Sequence, residues 1–256
     1  MGVLEGKVAL VTGAGRQGSL GFGVARALAA EGAAVALTGR SKAQASACAG
    51  QLQRECGVAA LPLAFDGFSA SRAEGLVEQV AGELGRIDVL VNCGAYAKGG
   101  APLAETEPAD LERSLEAGLV SCFAFMRACR PHLQASGAGS VINFATGSAA
   151  CGQAGAGALA AAKEGLRALS RVAATEWGPE GITVNVVCPL AHNAQLAKWA
   201  GEFPAEYDEV LAGIPLGRFG DACADVGRTC VFLAGPDARY LTGQTLYLQG
   251  GLNLRP

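Results

Sequence analysis

The sequence has no apolar run of about 20 residues free of charges and turn residues, the length a membrane-crossing helix requires. Its opening, MGVLEGKVALVTG, lacks the apolar core of a secretory signal. A soluble, cytoplasmic protein is expected. An excess of one charge is missing as well: 20 Lys and Arg stand against 23 Asp and Glu, a net charge of −3. That gives no footprint for nucleic acid or for an anionic membrane surface, and a small-molecule substrate is the expected partner. The nine cysteines (Cys48, Cys56, Cys93, Cys122, Cys129, Cys151, Cys188, Cys223 and Cys230) include no C-x-x-C pair and no even framework. Zinc and disulfides are therefore not expected, and most of these thiols read as small core residues. The stretch TGSAACGQAGAGALAAAK, residues 146–163, lacks acid–base chemistry almost entirely. Cys151 is the sole titratable side chain between Thr146 and Lys163.

What is present is alternation. Short β-rich runs at 7–12, 33–38, 59–64, 88–92, 141–145, 182–187 and 246–248 alternate with helix-periodic segments at 42–56, 71–84, 108–134, 163–177 and 225–233. At 256 residues, with no linker and no repeat, this predicts one α/β domain over residues 1–256. Its expected core is a doubly wound parallel sheet of Rossmann type, with ligands outside the carboxyl ends of the strands. Residues 189–220 are less regular and contain Trp199, Phe203 and Tyr207, as a substrate lid over the strand ends would.

The first strand ends in TGAGRQGSLGFGVARALAAEG, glycine-rich and then helical, with Val24, Leu28 and Ala29 on one face. Glycines there, Gly13 and Gly15 among them, let backbone N–H groups approach a pyrophosphate, and the helix start near Gly21 adds its dipole. The second strand ends in Gly39-Arg40-Ser41. An acidic residue there would bind a free ribose 2′-hydroxyl, whereas glycine followed by arginine leaves room and charge for a 2′-phosphate. NADP(H) is expected, with NAD(H) as the alternative; an exposed turn arginine is the plainer reading of Arg40. Asp66, just past the third strand, either reaches an adenine edge or caps the helix starting near Ser69.

Over essentially its whole length the chain resembles the short-chain dehydrogenase/reductases. The marks are TGAGRQGSLGFG, Asp66, VNCGA after the fourth strand, EWGPEGITVNVVCP around the sixth and YLTGQTLYLQGG near the end. The resemblance implies a seven-stranded sheet, a nicotinamide cofactor and a homotetramer or homodimer. The SLGFGVA end of the glycine loop is similar to that of the enoyl-carrier-protein reductase branch, which places Ser19 and Gly21 beside the pyrophosphate. By the same resemblance Asn92 and Gly94 border the adenine ribose, Lys163 the nicotinamide ribose, and Pro189 the nicotinamide. Leu190 stands where a glycine usually follows that proline, and Ala194 where a hydroxyl often holds the carboxamide.

The family's catalytic register departs from its pattern. Counting from Lys163, the proton-donating tyrosine falls on Leu159, the carbonyl-orienting serine on Thr146 and the helix asparagine on Gly118. The enoyl-reductase tyrosine would fall on Ala156. Thr146 keeps a hydroxyl donor, but leucine has no proton to give. Tyr96 and His192 are the candidate substitutes by strand-end position, ahead of Cys151 and Cys188; His132 reads as structural. Three functions follow: hydride transfer to an enoyl or carbonyl group of a small apolar or ring-containing substrate, a non-redox isomerase, cyclase or dehydratase, or an inactive cofactor-binding partner subunit.

Overall fold

A computed structural model describes residues 2–94 and 100–253. Among these residues the strands β1 (Val8–Thr12), β2 (Ala34–Gly39), β3 (Ala60–Ala64), β4 (Val89–Asn92), β5 (Ser140–Phe144), β6 (Thr183–Pro189) and β7 (Thr245–Leu248) form one parallel sheet. Its order is β3-β2-β1-β4-β5-β6-β7. The chain is thus a single-domain α/β Rossmann fold, as the alternation predicts. Progression reverses between β1 and β4, and the crevice beyond their carboxyl ends is where such sheets take ligands.

Alternation along each strand sends side chains to two covered faces. On one face Ala9 and Val11 of β1 pack with Val24 and Leu28 of α1 (Leu20–Ala30), Cys48 and Leu52 of α2 (Lys42–Cys56) and Val231 near the C-terminus. On the other, Val8 and Leu10 meet Val77 of α3 (Ala73–Leu84), together with Phe125, Met126 and Leu166. Each such large side chain contributes about 1.5–3 kcal/mol when fully buried.

Helix ends follow local chemistry. Ser19 accepts from the N–H of Phe22 to start α1, and Ser41 accepts from Gln44 to start α2, which stops at Gly57 with φ 70°. The helical stretch expected at 108–134 is broken into α4 (Pro108–Leu115), a π-helical turn at Glu116–Val120 and α5 (Ser121–Ala135). Gly118 lies inside that turn. A Cβ there would come within 3.1 Å of the Ala162 Cβ, so this turn and the helix carrying Lys163 approach closely. After β5 come the short α6 (Gly147–Cys151) and the long α7 (Gly157–Trp177). The segment at 189–220 folds into α8 (Ala194–Glu202) and α9 (Pro204–Ala212), and α10 (Arg228–Ala234) precedes β7. No helix among the described residues is long and apolar enough to cross a membrane.

Candidate active site

The reversal point opens into a cleft of about 650 Å³, walled by the residues that follow β1, β2, β3 and β4. Its floor depends on missing side chains. A Cβ on Gly15 would lie 2.7 Å from the Gly39 Cα, one on Gly21 2.7 Å from the Gly13 carbonyl oxygen, and Gly13 itself has φ 72° against Gly94. The loop therefore lies flat against the ends of β2 and β4, and the start of α1 lines the cleft through Leu20 and Gly21. Such a cradle fits a dinucleotide pyrophosphate. Two hydroxyls fix it: Thr38 accepts from the N–H of Gly13, and Thr12 from the N–H of Cys93.

At the β2 end Arg40 and Arg16 are both exposed and both line the cleft. Neither guanidinium has a hydrogen-bond or ion-pair partner among the described residues. Asp66 also lines the wall, but its carboxylate holds the 66–69 turn: it accepts from the N–H groups of Phe68 and Ser69 and from the Ser69 hydroxyl. Those bonds, the Phe68 N–H first, keep its pKa below the usual carboxylate range. The helix expected to start near Ser69 begins as a 3₁₀ turn at Ala70–Arg72, without a side-chain cap from Ser69.

Asn92 is fully buried at the end of β4. Its amide donates to Asn143 Oδ1 at 2.9 Å, Asn143 donates to Ser170 Oγ at 2.9 Å, and Ser170 donates to the Leu166 carbonyl. This chain of polar groups ties β4 and β5 to α7, leaving Asn92 Oδ1 without a partner. Lys163, 3% exposed, sits behind the cleft wall and donates from Nζ to the Gly94 carbonyl at 3.4 Å. Burial raises two thiols on that wall, Cys93 up to about 12 and Cys122 in the same direction, which disfavours their thiolates.

A second, smaller cleft of about 290 Å³ is bounded by α4, the α6–α7 turn and the start of α8. Leu159 lies on its wall together with Asp110, Ser114, Ser148, Gln153 and Gln195, the remainder being mainly glycine and alanine. Ser114, 3% exposed, is one helical turn before Gly118. Thr146 leaves β5 extended (φ −146°, ψ 144°), and its hydroxyl lies 2.9 Å from the Ser148 hydroxyl.

The structure thus groups Gly13, Gly15, Ser19, Gly21, Arg40, Asp66, Asn92 and Gly94 around one cleft, with Lys163 behind Gly94. Leu159 lines the second together with Ser148, whereas Thr146 lines neither. Pro189 ends β6 and lines neither cleft. His192 is exposed and also lines neither; its ring packs 5.5 Å from Phe219, with Nε2 3.4 Å from the Tyr207 hydroxyl. Trp199 joins this cluster, 6.1 Å from Tyr207. Tyr96 lies outside the described residues. Cys151 is exposed and Cys188 buried, and His132 bridges to Glu78 at 3.3 Å. Sequence reasoning passed over Arg16, Ser114, Ser148, Gln195 and Lys198, all on the cleft walls. A signal existed for Arg16, which stands inside the glycine loop, and for Ser148, two residues from Thr146. Ala194 lines the larger cleft, and its N–H donates to the Gly18 carbonyl at 3.1 Å, joining the start of α8 to the glycine loop.

Comparison with known proteins gives a consistent answer. The family described as Enoyl-(Acyl carrier protein) reductase matches residues 13–253. A 12alpha-hydroxysteroid dehydrogenase from Clostridium sp. is 46% identical over 260 residues, with 100% of both chains covered. The 3-oxoacyl-(acyl-carrier-protein) reductase of Escherichia coli is 32% identical, covering 97% of this chain and 98% of that one. Among solved structures, an NAD+-bound xylitol dehydrogenase superposes with a TM-score of 0.89 at 27% identity, covering 97% of this chain and 99% of that one.

Proposed function

Since this chain is an oxidoreductase belonging to the short-chain dehydrogenase/reductase family, we propose that it interconverts a carbonyl and a secondary alcohol with NADP(H), without the usual tyrosine acid. The observation that carries the cofactor choice is the pair of unpartnered guanidiniums, Arg16 and Arg40, at the β2 end of the larger cleft. A 2′-phosphate there gains charge-assisted hydrogen bonds that a free 2′-hydroxyl does not. Arg40→Ala is expected to weaken NADPH binding about 20-fold, the worth of roughly one such bond, and to change NADH binding less than about twofold. Fluorescence titration with both cofactors decides this; equal losses for the two would sink the preference.

A bound reduced nicotinamide supplies the hydride. The glycine cradle takes the pyrophosphate and Asn92 borders the adenine ribose. Lys163, whose 3.4 Å bond to Gly94 leaves Nζ two further donors, holds the nicotinamide ribose. The hydroxyl pair formed by Thr146 and Ser148 supplies the donor that polarises the substrate oxygen. Leu159 offers no proton, so the alkoxide is protonated by water. The relative that is 46% identical directs the substrate assignment to a ring system of the hydroxysteroid class, with α8 and α9 as the lid over it. Oxidation of a 12α-hydroxysteroid with NADP+, followed at the nicotinamide absorbance, is the direct test.

Leu159 and Gly118, both on the reacting side, favour one other reading, a non-redox isomerase, cyclase or dehydratase. Substrate consumption without any change in nicotinamide absorbance would select it. Exposed Phe123 on α5 and Val172 on α7 are the apolar surface a second copy would cover in the homodimer or homotetramer, measurable by light scattering. The nine free cysteines suit the reducing cytoplasm.

A further inference from the structure

We propose that Ser148, rather than Thr146, is the group that touches the substrate oxygen, and that Thr146 acts through it as a positioning residue. The inference rests on the carbonyl-reducing function proposed above and assigns within it the hydroxyl that does the work.

Three observations place Ser148 there. Its side chain lines the smaller cleft on the same wall system as Leu159, where the absent tyrosine would have stood, whereas Thr146 is not on the lining of either cleft. The two hydroxyls lie 2.9 Å apart, and Thr146 makes no side-chain cap to the backbone of α6 although it is the residue before that helix. Its hydroxyl is therefore directed to Ser148. Finally, the turn between them is held from behind. A Cβ on Gly147 would lie 1.8 Å from Gln249 Nε2, so the carboxamide of the buried Gln249 occupies the place of a side chain and fixes the direction in which Ser148 leaves the turn.

Thr146 donating to Ser148 leaves the Ser148 proton free to face the cleft, and a donor that itself accepts a hydrogen bond is strengthened by it. During reduction the carbonyl carbon gains a hydride from the reduced nicotinamide dinucleotide, and the carbonyl π electrons move onto oxygen. The resulting alkoxide is held by the Ser148 hydroxyl and takes its proton from a water molecule, whose hydroxide passes to bulk solvent. Ser148 is thus an oxyanion donor, with no change of its own net protonation.

The test uses the full-length protein with NADPH and two carbonyl probes, a 12-oxosteroid and an acetoacetyl thioester. Ser148→Ala is expected to lower kcat about 100-fold, the usual loss for one oxyanion donor, with the NADPH dissociation constant unchanged, which also reports an intact fold. Ser148→Thr should recover about tenfold of that loss. Thr146→Val should cost about tenfold, and Thr146→Ser less. A readout independent of turnover is calorimetric binding: the wild-type chain should prefer the 12-oxosteroid over its 12-deoxy counterpart, and Ser148→Ala should bind the two alike. Turnover by the wild-type chain with Ser148→Ala within threefold of it, or complete loss in Thr146→Val alone, overturns the assignment and leaves the carbonyl function standing. A wild-type chain that binds NADPH and reduces neither probe overturns the proposed function and this inference with it.

Discussion

Lys163→Met lowers turnover about 1000-fold and leaves the chain at least as stable as the wild type. The two halves of this expectation come from the same position. Lys163 projects from α7 into a 3% exposed site, where its Nζ makes a long bond to the Gly94 carbonyl, and no carboxylate pairs with it among the described residues. An amine held in this way costs desolvation that a methionine of similar length does not. What methionine removes is donor capacity beside Gly94. Two charge-assisted bonds to a ribose, at about 1.5–3 kcal/mol each, correspond to a loss of roughly a thousandfold when they are made only in the productive geometry. Single-turnover hydride transfer and thermal melting measure the two effects separately. Activity within tenfold of wild type, or a clear fall in Tm, would mean that Lys163 is there to hold the fold.

Leu159→Tyr is expected to raise carbonyl reduction about 100-fold. Leu159 stands one helical turn before Lys163 and lies on the wall of the smaller cleft, whose volume of about 290 Å³ and small-residue lining accept a phenol ring. A positioned general acid contributes about 100- to 10,000-fold, and the lower end applies because the rest of the proton path is absent at Gly118. The register also invites Gly118→Asn, but a Cβ there would lie 3.1 Å from the Ala162 Cβ, so the turn or α7 has to shift to admit it. The pair should therefore gain less than Leu159→Tyr alone. Initial rates at saturating NADPH test this. No gain, with cofactor binding intact, would mean that the nicotinamide is not held against this wall, in favour of the non-redox reading.

The legible parts of the sequence were those where one residue type has one physical use. Gly13, Gly15 and Gly21 could be read because their function is the absence of a side chain, and the structure places backbone atoms 2.7–3.0 Å from where a Cβ would be. The helix expected at 42–56 agrees to the residue, since Ser41 and Gly57 are the cap types that begin and end it. The π-helical turn at Glu116–Val120 was visible as no more than an interruption at Gly118, and the close approach of Ala162 there, 44 residues away in the chain, left no mark in the local sequence. Asp66 kept two readings, as one carboxylate serves a turn and a cleft wall equally well; the structure shows it doing the first while standing in the second. Ser148 went unread because nothing about a serine marks it as facing a cleft until α6 has turned, and Gln249, which sets that turn, is about 100 residues away. The segment at 189–220 was seen as irregular and holds two helices, short enough for their periodicity to be lost among turn residues. His192 was placed at the cleft by its position after the sixth strand; in the structure its ring packs against Phe219, with Nε2 3.4 Å from the Tyr207 hydroxyl.

The close passage of the π-helical turn against α7 at Gly118 and Ala162 also ties two positions together. A Cβ at 118 would stand 3.1 Å from the Ala162 Cβ, so one of the two elements has to give by a few tenths of an ångström when a side chain is added there. Substitutions at 118 and 162 are therefore expected to couple rather than add, although 44 residues of chain separate them.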